Sequence, residues 1–212
     1  MSKNITPIEI EKKQEDLVYY ILNGIPVVRR KSGFSKDGLA NNPNYKKVKE
    51  NSTEFGHCSK TSKMIRLAIN EFLGNCGDKL MYQKFTKVMT SIKNLDNSSQ
   101  PGFRRVEIGL QHEDAFPLLR NFQFGEYHNL GKFAFLDYGL FGTTLSFQSF
   151  VGEAILVTIQ PNFLDYTTKN IVNRYKISMK NSPIELQTQE NQMVLFFLVL
   201  IKKGEITNVG FL

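Results

Sequence analysis

Apolar and polar positions change rhythm near residue 100, and the change divides the chain into two parts. Leu17-Val-Tyr-Tyr-Ile-Leu22 is β-branched and aromatic, which predicts a strand. Asn23-Gly24 follows it, a pair suited to the positive φ angles of a tight hairpin turn. Ile25-Pro-Val-Val-Arg-Arg30 then returns as the second strand. Pro26 has no N–H to give a ladder, so that strand belongs at an edge. Residues 1–16 read as a charged arm, and residues 31–45 as a loop rich in Gly, Asn and Ser.

Helical spacing takes over next. Phe55, Cys58, Ser62, Ile65, Ile69 and Phe72 recur every three or four residues. Asn51 is placed to cap this helix, with Glu54 in capping-box register. Gly74 and Gly77 bracket its end, and Asp78 caps a second helix. In that helix Met81, Phe85, Val88, Met89, Ile92 and Leu95 form a clear core-facing stripe. The short connection predicts an antiparallel pair.

After the turn-rich stretch 96–102 the period shortens to two. Thr144-Leu-Ser-Phe-Gln-Ser-Phe150 alternates strictly, as a half-buried strand does. Residues 154–159, 172–179 and 193–201 read as further strands, with weaker candidates at 103–109, 119–124, 132–137 and 206–211. Short strands punctuated by turns imply a sandwich or barrel. The expected fold class is therefore α+β. A hairpin and antiparallel helix pair in residues 1–100 would precede an antiparallel β-sandwich-like domain in residues 101–212.

Charge sharpens this division. Residues 1–110 hold 19 Lys+Arg against 11 Asp+Glu, whereas residues 111–212 hold 8 against 9. Arg29, Arg30 and Lys31 end the hairpin. Lys46, Lys47 and Lys49 lead into the helix, Lys60, Lys63 and Arg66 ride along it, and Arg104 and Arg105 open the second half. If they converge, they make a polyanion-binding surface of the salt-dependent kind. Tyr19, Tyr20, Phe34 and Tyr45 lie near them in sequence and are of the type that stacks on bases. The competing reading is a solvated, solubilising surface.

The chemistry of catalysis finds little to attach to. His57 and Cys58 are helix neighbours whose side chains diverge, and Cys58 falls on the apolar stripe, so it reads as a core cysteine. His112-Glu113-Asp114 lacks the spacing of a metal site. The glycines match neither a dinucleotide fingerprint nor a P-loop. No cofactor, metal or small-molecule ligand is therefore expected. Two cysteines make no disulfide framework. The polar start of the chain and a longest apolar run of nine residues, Met193 to Ile201, argue against a secretory signal and a membrane helix. The expected location is the cytoplasm.

Gly24-Ile-Pro-Val-Val-Arg-Arg-Lys-Ser-Gly33, Asn42-Pro-Asn-Tyr45, Lys49-Glu-Asn51, Glu54-Phe-Gly56 and Lys63-Met-Ile-Arg66 together resemble an uncharacterised family of Bacteroidota proteins. In that family a hairpin leads through a Gly-rich loop into an N-P-x-F…R-E-N…E-F-G helix. Here Tyr45 replaces the Phe and Lys49 the Arg. The resemblance implies a two-part layout and a C-terminal β domain, and it carries over no catalytic residue. Glu54, Phe55 and Gly56 read either as a contact motif or as a capping box with a close-packing glycine; the capping logic favours the second.

These readings lead to a non-enzymatic structural or interaction protein that works through docking or self-assembly surfaces, with a protein partner or a second copy as its target. The alternative is a nucleic-acid-binding protein that uses the basic N-terminal face.

Overall fold

A computed structural model describes residues 17–22, 24–30, 41–74, 76–139, 142–178, 182–186 and 193–212. The fold is α+β, and the chain divides into two compact units, Met1–Lys49 and Glu50–Leu212.

In the first unit β1 (Leu17–Leu22) pairs antiparallel with β2 (Ile25–Arg30), with Leu22 opposite Ile25 and Leu17 opposite Arg30. Gly24 sits at φ +83°, a conformation that glycine adopts without steric cost. The expected arm, Asn23, and the loop positions Lys31 and Phe34 lie outside the described residues. Asn42 then turns the chain, its Oδ1 accepting the Asn44 N–H at 3.0 Å, and Pro43–Tyr45 forms a 3-10 turn.

Helix α1 (Lys46–Leu73) follows directly. The capping box expected at Asn51 and Glu54 is therefore not formed: Asn51 lies inside the helix. The turn at Pro43 starts the helix earlier, and Lys46-Lys-Val-Lys-Glu50 carries it forward with good helix formers. The buried face comprises Glu54, His57, Cys58, Thr61, Ser62, Ile65, Ile69 and Phe72. Phe55, placed on the stripe by its spacing, is instead exposed, and Glu54 takes the inward position beside it.

Helix α2 (Met81–Lys93) buries Phe85, Met89 and Ile92. Asp78 acts just ahead of it, accepting the Leu80 N–H at 2.9 Å and the Lys84 ammonium at 2.7 Å. The contacts Thr86–Ser62, Met89–Cys58 and Lys93–Glu54 run in opposite sequence directions, so α1 and α2 are antiparallel, as predicted. The stretches 103–109 and 119–124, expected to be strands, give no strand. Their described helices are α3 (Val106–Gly109) and α4 (Ala115–Arg120). Short apolar runs do not distinguish helix from strand, and here the packing against α2 decides.

All remaining elements are antiparallel strands. β3 (Ala134–Gly139), β4 (Gly142–Phe147) and β7 (Ile184–Leu186) form a three-stranded sheet in the order β3-β4-β7. β5 (Gly152–Asn162), β6 (Thr167–Ile177), β8 (Leu195–Lys202) and β9 (Glu205–Phe211) form a four-stranded sheet in the order β6-β5-β8-β9. Ile155, Val157, Ile159, Leu195, Phe197, Val199, Val209 and Phe211 pack against the helices. Ala154, Leu156, Phe196, Leu198 and Leu200 face the other way, against Leu130, Ala134, Leu145 and Leu186.

The second unit is thus layered as helices, sheet and sheet. The helix pair, expected to belong with the hairpin, shares a core with the strands. Phenylalanines fill that core. Phe85 lies 5.0 Å from Phe122 and Phe124 lies 5.3 Å from Phe197, both edge-on, and Phe211 joins Phe197 at 5.2 Å. Edge-on pairs of this kind add about 0.5–1.5 kcal/mol each beyond area burial.

Helix α3 meets the end of α2 at Gly109, where a Cβ would stand 1.9 Å from the Ile92 carbonyl oxygen. Gly109→Ala must push α3 away. It is expected to lower stability by about 1–3 kcal/mol, in the range of overpacked cores, as a lower midpoint in urea denaturation.

Candidate functional site

The polar side chains Glu54 and His57 lie on the buried face of α1. Glu54 is only 2% exposed, yet its carboxylate is fully engaged. Oε1 accepts from the Gly102 N–H at 2.7 Å and from Arg104 Nε at 2.8 Å. Oε2 accepts from Arg104 Nη2 at 2.7 Å and from the buried Lys93 ammonium at 2.5 Å. Burial alone pushes the Glu54 carboxyl up, but the Arg104, Lys93 and Gly102 hydrogen bonds outweigh it and hold it down at about 2. The carboxylate ties the loop after α2 to the middle of α1.

Asp96 does the same for the loop itself. It is buried and accepts from the N–H groups of Ser98, Ser99 and Arg105 and from the Ser98 hydroxyl. Burial pushes this carboxyl up as well, and those donors hold it well below the usual carboxylate range.

His57 stands one turn along α1. Its Nε2 lies 3.1 Å from the Val106 N–H nitrogen and 3.0 Å from Glu107 Oε2, and its Nδ1 lies 2.9 Å from the Tyr166 hydroxyl. An unprotonated Nε2 accepts from Val106, whereas a protonated one donates to Glu107, so one nitrogen has two claimants. Tyr166 is held at φ +57°, a left-handed position that costs a non-glycine residue about 1–2 kcal/mol. Its hydroxyl contact with His57 and the Lys60 ammonium 5.1 Å from its ring centre hold it there. A groove of about 700 Å³ runs past this corner, lined by Glu107, Gln111, Gln160, Asn162, Asp165 and Lys169 among others. His57 is not part of its lining; its ring is turned to Val106, Glu107 and Tyr166.

Cys58, next to His57, packs in the core with its thiol pushed up by burial. His112 forms a local turn with Asp114. Among the described residues, no three metal-ligating side chains converge.

The basic residues named from sequence separate into two groups. Arg104 is forked onto Glu54. Arg105 lies half-buried with Nη1 3.3 Å from His57 Nδ1, and burial pushes the Arg66 guanidinium down. Lys60 and Lys63 are exposed on α1, as are Lys46, Lys47 and Lys49 at its start and Arg29 and Arg30 on β2. Arg29 rests 5.9 Å from the Tyr20 ring centre. Lys31 lies outside the described residues. In the nominated motif, Glu54 is the buried hub, Phe55 is exposed, and Gly56 has open space where a Cβ would be, so it is not a close-packing glycine.

The hairpin presents a different kind of surface. Tyr19 is 58% exposed, Ile21 75%, Ile25 65% and Val28 54%. The register puts Tyr19, Ile21 and Val28 on one face and Tyr20, Leu22 and Ile25 on the other. Both faces of this sheet therefore offer large apolar side chains.

No family model, curated protein or solved structure matches the chain.

Sequence reading missed the role of Glu54 because its partners are remote in the chain. The one available hint was a glutamate adjoining an otherwise apolar stripe. Glu54→Gln keeps the shape and removes the charge, leaving Lys93 and Arg104 without a counterion. It is expected to cost about 3–5 kcal/mol in denaturant unfolding. The folded pKa of Glu54 lies below its ordinary 4.5, so its contribution is complete above that value and is lost as pH falls toward about 2. Wild-type stability should fall through that window, and Glu54→Gln should flatten the curve. Tyr166→Phe removes only the hydroxyl on His57, and a loss of about 1 kcal/mol in the same assay is expected.

Proposed function

We propose that this chain is a non-enzymatic structural or interaction protein whose docking element is the β1–β2 hairpin. The observation that carries the reading is the exposure of Tyr19, Ile21, Ile25 and Val28 on a sheet that has two strands among the described residues. Such a sheet is marginal in water unless something covers or extends it. Contiguous exposed apolar side chains mark interaction surfaces. The buried charged groups support the same reading from the other direction, since Glu54 of α1, Lys93 of α2, and Asp96 and Arg104 of the following loop spend their hydrogen bonds on holding the loop at 96–107.

Native extract fractionated by size at low and high salt tests the proposal. The chain is expected in fractions heavier than its 24.3 kDa, to remain there at high salt because apolar contacts are not screened, and to leave them when Ile21, Ile25 and Val28 are replaced by Thr. Migration at monomer mass at both salt levels would overturn it. Co-migrating nucleic acid that dissociates as salt rises would favour the basic-surface alternative instead.

A further inference from the structure

We propose that β1 is the pairing edge of the hairpin and that it pairs antiparallel with β1 of a second copy. The proposal rests on the hairpin being the docking element and names its partner. Residues in an antiparallel pair alternate between those whose N–H and C=O point into the ladder and those whose groups point out. Pro26, opposite Ile21, fixes which is which: a proline within a paired strand turns its nitrogen outward. Leu17, Tyr19 and Ile21 therefore direct their backbone groups away from β2. Among the described residues no strand pairs with the outer edge of β1, an uninterrupted row of donors and acceptors, whereas the edge of β2 lacks the donor at Pro26.

Every other sheet edge among the described residues carries a guard of the kind that keeps edges from pairing. β2 has Pro26, Arg29 and Arg30. β3 carries Asp137. β6 carries Lys169, Arg174 and Lys176. β7 is three residues long and contains Glu185. β9 is covered at Asn208 by a bridge to His128. β1, Leu-Val-Tyr-Tyr-Ile-Leu, has no charge, no proline and no glycine.

The strand is also complementary to itself. A two-fold axis beside Tyr19 sets Tyr19 against its own copy, Leu17 against Ile21, and Val18 against Tyr20. In that register every outward N–H and C=O of Leu17, Tyr19 and Ile21 meets its counterpart. Each side-chain pair is aromatic or aliphatic, the combinations that stabilise cross-strand contacts. No like charges meet, because Arg29 and Arg30 lie on the far strand. The product is a four-stranded sheet in the order β2-β1-β1-β2, with a guarded strand at each outer edge.

Light scattering on the purified full chain over a dilution series tests this. The wild type is expected at twice 24.3 kDa. Tyr19→Pro removes an outward N–H and leaves the internal ladder whole, so the mass should fall by half while the circular dichroism spectrum is retained. Ile25→Lys, which leaves the β1 edge intact, should stay dimeric. Tyr19→Cys in a Cys76→Ser background should form a disulfide-linked dimer on mild oxidation, a readout that does not depend on the folding of the proline variant. A wild-type monomer at all concentrations, or no crosslink at position 19, overturns the pairing. A dimer that survives Tyr19→Pro with its spectrum intact but dissociates with Ile25→Lys overturns the edge pairing while leaving the hairpin as the docking element.

Discussion

Because β5 and β8 bury apolar side chains on both faces, the four-stranded sheet needs a cover on each side. The helices supply one cover and the β3-β4-β7 sheet the other. The consequences reach through the second unit. Phe197 and Phe211 point toward the helices, so Phe85 and Phe124 come down to meet them, with Phe122 packed edge-on against both. The chain between α2 and β3 accordingly folds as short helices and turns that deliver those rings, and Gly109 lets α3 approach the end of α2 closely enough to close the layer.

Closing that layer strands polar backbone, and buried carboxylates answer it. Asp96 satisfies successive N–H groups of the loop, and Glu54 takes the Gly102 N–H together with two cations. Each carboxylate is held ionised by donors that outweigh its loss of water. The excess positive charge of the first half is therefore partly committed inside the fold. Lys93 and Arg104 neutralise Glu54, and the surface is less basic there than a residue count suggests. Net charge alone is a poor guide to an anion-binding face when cations are coupled to buried acids.

The hairpin follows another logic. Its sequence is as apolar as a core strand, yet the side chains on both of its faces lie open. The other sheet edges among the described residues carry charge, proline, brevity or a covering bridge, whereas β1 carries none of these. Two strands by themselves make a sheet of marginal stability in water, which is the physical ground for the docking role proposed for the hairpin.

Local chemistry by itself marked out the hairpin, the two long helices and most of the strands, because turn residues, periodicity and β-propensity act between residues near in sequence. Gly24 takes the positive φ that the turn needs, the stripe from Phe85 to Ile92 makes α2 amphipathic, and the alternation that begins at Thr144 makes β4 as far as Phe147. Tertiary structure alone decided the rest. The strand-like runs at 103–109 and 119–124 became helix and turn because α2 and the sheet dictated where Val106, Leu119 and Phe122 must be buried. Glu54 exchanged a predicted capping role for a buried ion network because Lys93, Gly102 and Arg104 reach it only once the helices have packed. The physical reason is range: propensity and periodicity act within a turn or two of chain, whereas charge pairing and core packing join residues whose separation in sequence carries no signal.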